Sequence, residues 1–224
     1  MVIVACETLK NELNLAMAQT GVSFPVIWVE SGLHEVPDKL RAHLQAVIDD
    51  LEPDDTALLV FGFCGNSVVG LSTPRARLIL PRAADCISLF LGSVERREQM
   101  GGKTYFFTEG YLQGERNMAV EYEHSLERYD PETAEWVMRE MMKHYEKFAV
   151  IDTGAFEVEP VRRKIGPLAE LLGLPVETVP GDMGFFCELL RGPWPDERFL
   201  TVEPGGSITL EDSLNVGLSQ IANR

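Results

Sequence analysis

The chain has 224 residues and a mass of 25.0 kDa, which is enough for one large domain whose hydrophobic core needs no disulfide support. Hydrophobic residues make up 45% and charged residues 25% of the sequence, and this balance excludes a disordered or membrane-embedded chain. The formal charge of −15 repels phosphate backbones and anionic lipid headgroups. Nucleic acids and membrane surfaces are therefore not expected as partners.

The start of the sequence predicts a cytoplasmic protein. It reads MVIVACETL, a first strand, without the basic segment, long apolar segment or cleavage site of a secretory signal. In a reducing compartment, a set of cysteines indicates metal binding or catalysis more than disulfides. The cysteines in question are Cys6, Cys64, Cys86 and Cys187.

Short apolar runs rich in β-branched residues alternate with segments of helical period, which is the pattern of βαβ units around a parallel sheet. In the first half this pattern predicts strands over Val2 to Ala5, Pro25 to Val29, Thr56 to Phe63 and Arg77 to Leu80. Helices are expected after the first and second strands, a loop containing Gly and Ser between the third and fourth, and an apolar helix over Cys86 to Leu91. The first half is therefore predicted to contain four strands.

The second half shows the same alternation after a less regular segment, residues 93–130. Asp130 is suited to cap a helix that begins at Pro131 and runs to about Tyr145. Strands are predicted over Thr104 to Thr108, Phe148 to Asp152, Val176 to Val179 and Phe199 to Val202, and helices over Val161 to Leu172 and Phe185 to Leu190. We expect an α/β fold with a mostly parallel sheet, helices on both faces, and two Rossmann-like halves packed as one domain over residues 1–224. The halves are 1–100 and 130–224.

Thiol and imidazole groups follow four successive elements of the first half. Cys6 ends the first predicted strand, and His34 lies in the loop after the second. Cys64 follows the third strand, and Cys86 begins the helix after the fourth. Ligands of open α/β sheets bind at the carboxyl ends of the strands, and thiolates and imidazoles are ligands of Zn²⁺, while thiolates also hold iron–sulfur clusters. The sequence therefore predicts a metal site of Cys6, His34, Cys64 and Cys86, with zinc favoured and an iron–sulfur cluster as the alternative.

Other polar residues lie near the same predicted edge. Asp85 precedes Cys86, where it is either the N-cap of the following helix or a hydrogen-bond acceptor for a ligating imidazole. His34 and Asp85 are the candidates for acid–base catalysis, whereas Cys187 lies in an apolar helix and is expected in the core. The candidates for contacting a substrate are Asn66, Arg82, Glu109 and Asp152.

Five strings of the sequence resemble the family called DUF1638. In chain order they are ACETLKNEL, SGLHEVPDKL, FGFCGN, LPRAADCISLFLGS and YFFTEG. The resemblance covers nearly the whole chain, and its family-like positions here are Cys6, His34, Cys64, Asp85 and Cys86. Some members accompany corrinoid-dependent methyltransferase systems, so the resemblance implies a link to one-carbon or methylamine-type metabolism.

Three functions are open at this point. The first is a metal-binding enzyme of corrinoid-linked methyl metabolism with a small-molecule substrate, in which the metal activates a thiol or a water. The second is a non-enzymatic accessory protein that binds or matures a corrinoid methyltransferase partner. The third is a metal-free enzyme in which Cys64 or Cys86 is the nucleophile and His34 the base. If His34 is not a ligand, the three cysteines suit an iron–sulfur cluster with one open position.

Overall fold

Two sheets form the framework of the protein, which is described by a computed structural model over residues 1–114 and 117–216. The first sheet has the strand order β2-β1-β3-β4-β8 and is parallel except for β8, which runs antiparallel to β4. The second has the order β5-β6-β7 and is parallel throughout. The strands are β1 (Val2–Cys6), β2 (Val26–Val29), β3 (Thr56–Val60), β4 (Arg77–Pro81), β5 (Thr104–Phe107), β6 (Lys147–Asp152), β7 (Val176–Pro180) and β8 (Phe199–Val202). The predicted α/β class is confirmed.

Helices surround both sheets. They are α1 (Lys10–Thr20), α2 (Pro37–Asp49), α3 (Cys86–Leu91), α4 (Val94–Gln99), α5 (Glu109–Gln113), α6 (Met118–Arg128), α7 (Pro131–Met142), α8 (Val158–Leu172), α9 (Gly184–Arg191) and α10 (Leu210–Leu214). Two of them begin where side-chain capping predicts, because Asp85 accepts from the Ser88 backbone and Asp130 from the Thr133 backbone. Short 3₁₀ turns, Glu7–Leu9 and Ser31–Glu35, follow β1 and β2. Among the described residues, no helix combines the length and apolarity that crossing a membrane requires.

The protein has two hydrophobic cores, and one face of the second sheet, with Phe106, Ala149 and Ile151, packs into the core of the first sheet. The central strands β1 and β3 of the first sheet are buried on both faces, as parallel strands covered by helices require. The second core forms where Phe107 and Phe148 pack edge to face, with ring centroids 5.0 Å apart, beneath helix α8. The second sheet therefore contributes side chains to both cores.

The carboxyl-terminal edges of the two sheets meet at a common junction. Helix α5, which follows β5, lies beside the turn after β1, and the approach is so close that a Cβ on Gly110 would lie 2.2 Å from the Thr8 carbonyl oxygen. Only glycine fits there. At the other side of the junction, the Asp182 amide donates to the Phe90 carbonyl at 2.9 Å, and Arg96 Nη2 donates to the Pro180 carbonyl at 2.6 Å. Loops from both sheets therefore border one space.

The sheets do not follow the sequence halves 1–100 and 130–224. Strand β5 precedes residue 130 but pairs with β6, and β8 lies near the end of the chain but pairs with β4. The irregular segment 93–130 contains three helices that sequence periodicity did not predict, α4, α5 and α6. This segment also forms much of the boundary between the two sheets.

Candidate functional site

Three thiols and one imidazole come together at the junction. Strand β1 ends at Cys6, whose Sγ lies 3.0 Å from Nε2 of His34 and 3.1 Å from Oγ1 of Thr8. Cys64 and Cys86 lie close enough to Cys6 for electrostatic repulsion between ionised thiols to contribute to raising the pKa of Cys64 and Cys86. The structure thus brings the four predicted metal ligands into one neighbourhood.

The backbone turns sharply at Cys64. This residue has a φ of +44°, and Gly65 and Asn66 follow with +66° and +67°. Such a left-handed conformation is uncommon for a residue with a Cβ, and here it is held by the Cys64 amide, which donates to the Ala84 carbonyl at 2.9 Å. The turn keeps Cys64 beside the residues that lead into α3, including Cys86.

Burial keeps the cluster neutral. It raises the pKa of the Cys6 thiol, raises that of Cys64 to about 12, and raises that of Cys86 well above its usual value. Burial also lowers the pKa of His34. In each case desolvation is the main cause, because a charged form loses more hydration than a neutral one. The groups are therefore thiols and a neutral imidazole at neutral pH.

A cavity of about 450 Å³ opens beside the cluster. The wall on the side of the first sheet includes His34, Cys86 and Arg97, and the wall on the side of the second sheet follows β5 and includes Tyr105 and Tyr111. The volume lies within the range of roughly 300–1,000 Å³ typical of small-molecule sites. A molecule in this cavity would contact residues from both sides of the junction and lie against Cys86.

Asp85 stands at the start of α3 next to the cluster. Its Oδ1 accepts from the Ser88 amide at 3.2 Å, and its Oδ2 accepts from Arg97 Nε at 3.2 Å. No imidazole is among these partners. Asp85 acts as an N-cap and as the ion-pair partner of Arg97, and its charge contributes to raising the pKa of Cys64 and Cys86.

The four predicted substrate contacts lie elsewhere on the junction or outside it, and none is among the described residues that line the cavity. Asn66 is exposed and accepts from the Ser213 hydroxyl, whereas Arg82 Nε donates to the Asp196 carbonyl at 2.7 Å. Glu109 Oε2 accepts from Asn11 Nδ2 at 2.6 Å, and Asp152 accepts from the Gly154 amide at 3.1 Å. Each is held by partners of its own rather than directed at the thiols.

Sequence reasoning missed Arg97 and the tyrosines of the cavity. Arg97 lies in helix α4, which has only six residues and so shows no helical period. Tyr105 and Tyr111 join their hydroxyls at 2.6 Å, and Tyr145 packs edge to face on Tyr105. Tyr105 and Tyr111 stand in or just after the string YFFTEG, so the nearest available signal was the concentration of aromatic residues there.

Glu12 is a further residue that the sequence prediction passed over. It is fully buried on α1, where Oε1 accepts from the Thr153 hydroxyl at 2.9 Å and Oε2 has no partner in the described part of the chain. Desolvation raises its pKa to about 7, and the nearby charge of Glu109 adds to the effect. A signal existed, because Glu12 occupies the inward face of α1 between Leu9 and Ala16.

Thiols and an imidazole are suitable ligands for zinc, but their positions in this structure are not those of a zinc site. Within residues 1–114 and 117–216, no three His, Cys, Asp or Glu side chains are grouped so that they could hold a metal ion as they stand. Zinc bonded to a thiolate at about 2.3 Å and to an imidazole at about 2.1 Å holds the two atoms roughly 3.6 Å apart in tetrahedral geometry. Sγ of Cys6 and Nε2 of His34 are 3.0 Å apart. Metal binding therefore requires the hydrogen bond to open and the thiols to turn inward.

The fold and the site define an α/β protein with a cavity between two sheets and, beside it, a cluster of thiols and an imidazole of which His34 and Cys86 line the cavity. A family of unknown function, DUF1638, matches residues 28–190. This match covers more than half of the chain, so the protein belongs to that family, as the sequence strings indicated. No curated protein and no solved structure matches the chain.

Proposed function

We propose that the protein binds a thiophilic metal ion, zinc first, through Cys6, His34, Cys64 and Cys86, and uses it on a small molecule held in the adjacent cavity. The observation that carries this proposal is the convergence of three thiols and an imidazole from four separate elements at one junction, where His34 and Cys86 line the cavity. One buried cysteine is ordinarily a small hydrophobic residue. Three cysteines that lie together, with a histidine hydrogen-bonded to one of them, need a common explanation.

Charge supports a cation in this place. Ionised together, the three thiols would repel one another strongly because they are buried and close. A divalent cation offsets that repulsion and takes up the thiols in their deprotonated form. The depressed pKa of His34 keeps its imidazole neutral, which is the form that ligates metal.

The chain's own residues supply the rest of the chemistry. A bound zinc ion supplies Lewis acidity and stabilises a thiolate or hydroxide at neutral pH. The cavity places a substrate against Cys86 and His34, both of which line it. Thr8, whose hydroxyl contacts Sγ of Cys6, supports the orientation of that thiol. An iron–sulfur cluster held by the three cysteines is the alternative occupant if His34 is not a ligand.

The metabolic setting is proposed from the family resemblance. It places the protein in one-carbon metabolism beside a corrinoid methyltransferase, either as an enzyme or as an accessory protein that binds or matures that partner. A thiolate activated by a metal is a suitable acceptor for a methyl group from a methylated corrinoid, whose cobalt keeps the electron pair of the broken cobalt–carbon bond, because coordination maintains the nucleophilic form of sulfur at neutral pH.

The hydrogen bond between Cys6 and His34 supports a second candidate, a metal-free thiol enzyme. In this candidate His34 accepts the proton of Cys6, so the nucleophile is Cys6 rather than the Cys64 or Cys86 of the sequence-based hypothesis. Burial raises the pKa of Cys6 and lowers that of His34. The neutral pair is thus favoured over the ion pair, which makes this candidate second to the metal site.

Zinc titration against a chromophoric chelator, without oxygen, tests the proposal. We expect one tight site in the wild-type protein, because structural Cys and His sites bind zinc with about 10–16 kcal/mol. Replacement of Cys6, Cys64 or Cys86 by serine should weaken binding by at least about 100-fold, since each removes a direct ligand. The matched control is Cys187→Ser, which removes a thiol that lies on α9 near Gln19 and should leave zinc affinity unchanged.

The same titration separates the candidates. His34→Gln should weaken zinc binding in the Cys₃His site and leave it unchanged if only the thiols are ligands. Zinc affinity that is equally weak in the wild type and all three serine variants would contradict the metal proposal. The rate of Cys6 alkylation, measured against pH, gives the pKa of its thiol. A Cys6 pKa that is lowered in the wild type but not in His34→Gln would then favour the metal-free enzyme.

A further inference from the structure

The residues that line the cavity between the two sheets differ in charge from the protein as a whole. Among the described residues that line it, Arg97 is the one fixed cation and no aspartate or glutamate is present. The chain as a whole carries 35 acidic residues against 20 basic ones. A cavity that excludes carboxylates from its lining while including an arginine is suited to an anionic ligand rather than a cationic one.

Arg97 is held in place and still has donors to offer. Its Nε donates to Asp85 at 3.2 Å, its Nη1 donates to the Gly101 carbonyl at 3.1 Å, and its guanidinium carbon lies 5.1 Å from the centre of the Phe106 ring. In the described part of the chain, Nη2 of Arg97 has no hydrogen-bond partner. A guanidinium fixed by two partners loses little freedom when it binds a third.

The ion pair with Asp85 limits the charge of the ligand. Asp85 already compensates one unit of positive charge at 3.2 Å from Arg97. A monoanion such as a carboxylate adds a single negative charge to this pair, whereas a phosphate dianion would add about two and meet stronger repulsion. The local charges therefore favour a carboxylate.

The remaining walls are mostly apolar, although Thr8, Ser31 and Thr108 are also among the lining residues. Aromatic rings of Phe90, Phe106 and Tyr105 and the side chain of Ile87 form much of the lining. The hydroxyls of Tyr105 and Tyr111 are bonded to each other, which leaves mostly ring surface toward the cavity. Such walls stabilise a hydrocarbon or aromatic body by burial and stacking.

We infer that the cavity binds a small organic acid, with its carboxylate on Nη2 of Arg97 and an apolar or aromatic body along β5 toward Cys86 and His34. The inference names the substrate class of the proposed function and rests on it for the reaction at the thiols. Binding itself does not require the metal. The two claims can therefore fail separately.

Three probes with one carbon skeleton test this inference: 3-phenylpropanoate, 3-phenylpropanol and 3-phenylpropylamine. Their affinities are measured by calorimetry or NMR titration on the full chain without metal, at one pH and ionic strength. We expect the carboxylate to bind at least about tenfold more tightly than the alcohol, and the amine to bind most weakly, because a charge-assisted hydrogen bond to Arg97 contributes about 1.4 kcal/mol or more.

Variants locate the binding. Arg97→Gln should reduce carboxylate affinity by about tenfold or more and leave that of the alcohol unchanged. Arg128→Gln, which removes an exposed cation of α6 away from the cavity, is the matched control and should change neither. Ile87→Trp should abolish binding of all probes by filling the cavity.

Several outcomes would overturn the inference. They are an amine that binds as tightly as the carboxylate, a carboxylate affinity that survives Arg97→Gln or Ile87→Trp, and no binding of any probe at millimolar concentration. If Arg97→Gln does not fold, the order of the three probes on the wild-type protein decides. Zinc titration of the same preparations reports on the metal proposal independently.

Discussion

The left-handed turn at Cys64 is the feature that a single residue determines most directly. A residue with a Cβ pays roughly 1 kcal/mol or more to adopt this conformation, and strain of this kind is retained where surrounding contacts enforce it. Here the amides of Phe63 and Cys64 are both bonded, to the Ala83 and Ala84 carbonyls. The strained turn places the Cys64 thiol in the cluster.

The strain predicts an unusual order of stability for variants at residue 64. Cys64→Gly should be more stable than Cys64→Ala by about 1 kcal/mol, because glycine adopts a positive φ without a steric cost. Both variants lose the thiol, so the comparison isolates the backbone. Urea unfolding of the two proteins measures the difference.

Cys187 provides the matched control, since it lies inside helix α9. There the alanine variant should be more stable than the glycine variant by about 1 kcal/mol, as helix propensity requires. If the alanine variant is more stable than the glycine variant at both positions, the strain at Cys64 is contradicted.

The positions of Cys6, His34, Cys64 and Cys86 were predictable because each follows a strand, and parallel strands deliver their carboxyl ends to one edge. The roles of Asn66 and Arg82 were not. A residue just after a strand end satisfies the same rule whether its side chain turns toward the site or toward a neighbouring loop, and Arg82 turns to the Asp196 carbonyl. Side-chain direction depends on partners distant in sequence.

At the scale of elements, strand β6 and helix α7 were predicted closely, whereas helices α4 and α5 and the eleven-residue α6 were not. Strand β6 and helix α7 carry strong local signals in β-branched residues and in an Asp130 cap followed by proline. Helices α4 and α5 have six and five residues, fewer than two turns each, so no apolar stripe can develop. Their positions are set by tertiary contacts with the junction.

Glu12 joins helix α1 to the loop after β6, and its ionisation predicts a pH-dependent stability. The folded-state pKa is about 7 against an ordinary value of 4.5. Between these two pH values the native protein retains a proton that the unfolded chain has lost, so stability falls as pH rises through this window. At about 1.4 kcal/mol per pKa unit the total loss is roughly 3 kcal/mol.

Glu12→Gln removes this dependence because the amide does not ionise. The variant should match the wild type near pH 4 and be more stable by up to about 3 kcal/mol at pH 8, as measured by urea unfolding across that range. The exposed Glu52 offers a control, Glu52→Gln, with no such trend. A constant difference between Glu12→Gln and the wild type at all pH values would show that the buried carboxyl is not the cause.

At the scale of the whole molecule, the sequence predicted the α/β class but not the division into two sheets. Alternating strands and helices specify parallel βαβ units, yet they do not say which strands pair. The return of β8 to β4 joins the end of the chain to the first sheet, and the strand itself carries no local signal for an antiparallel partner. The cavity arises from this arrangement, since its two walls come from different sheets.

The metal content of protein purified without oxygen tests the central claim, a metal site built from three cysteines and His34, most directly. Elemental analysis and an absorption spectrum are recorded for the wild type and, in parallel, for Cys64→Gly, which keeps the turn and lacks the thiol. We predict about one zinc per wild-type chain and no visible absorption, or iron with the visible absorption of a cluster for the alternative occupant, and loss of that metal in the variant. A wild-type protein with no more zinc or iron than Cys64→Gly would contradict the site.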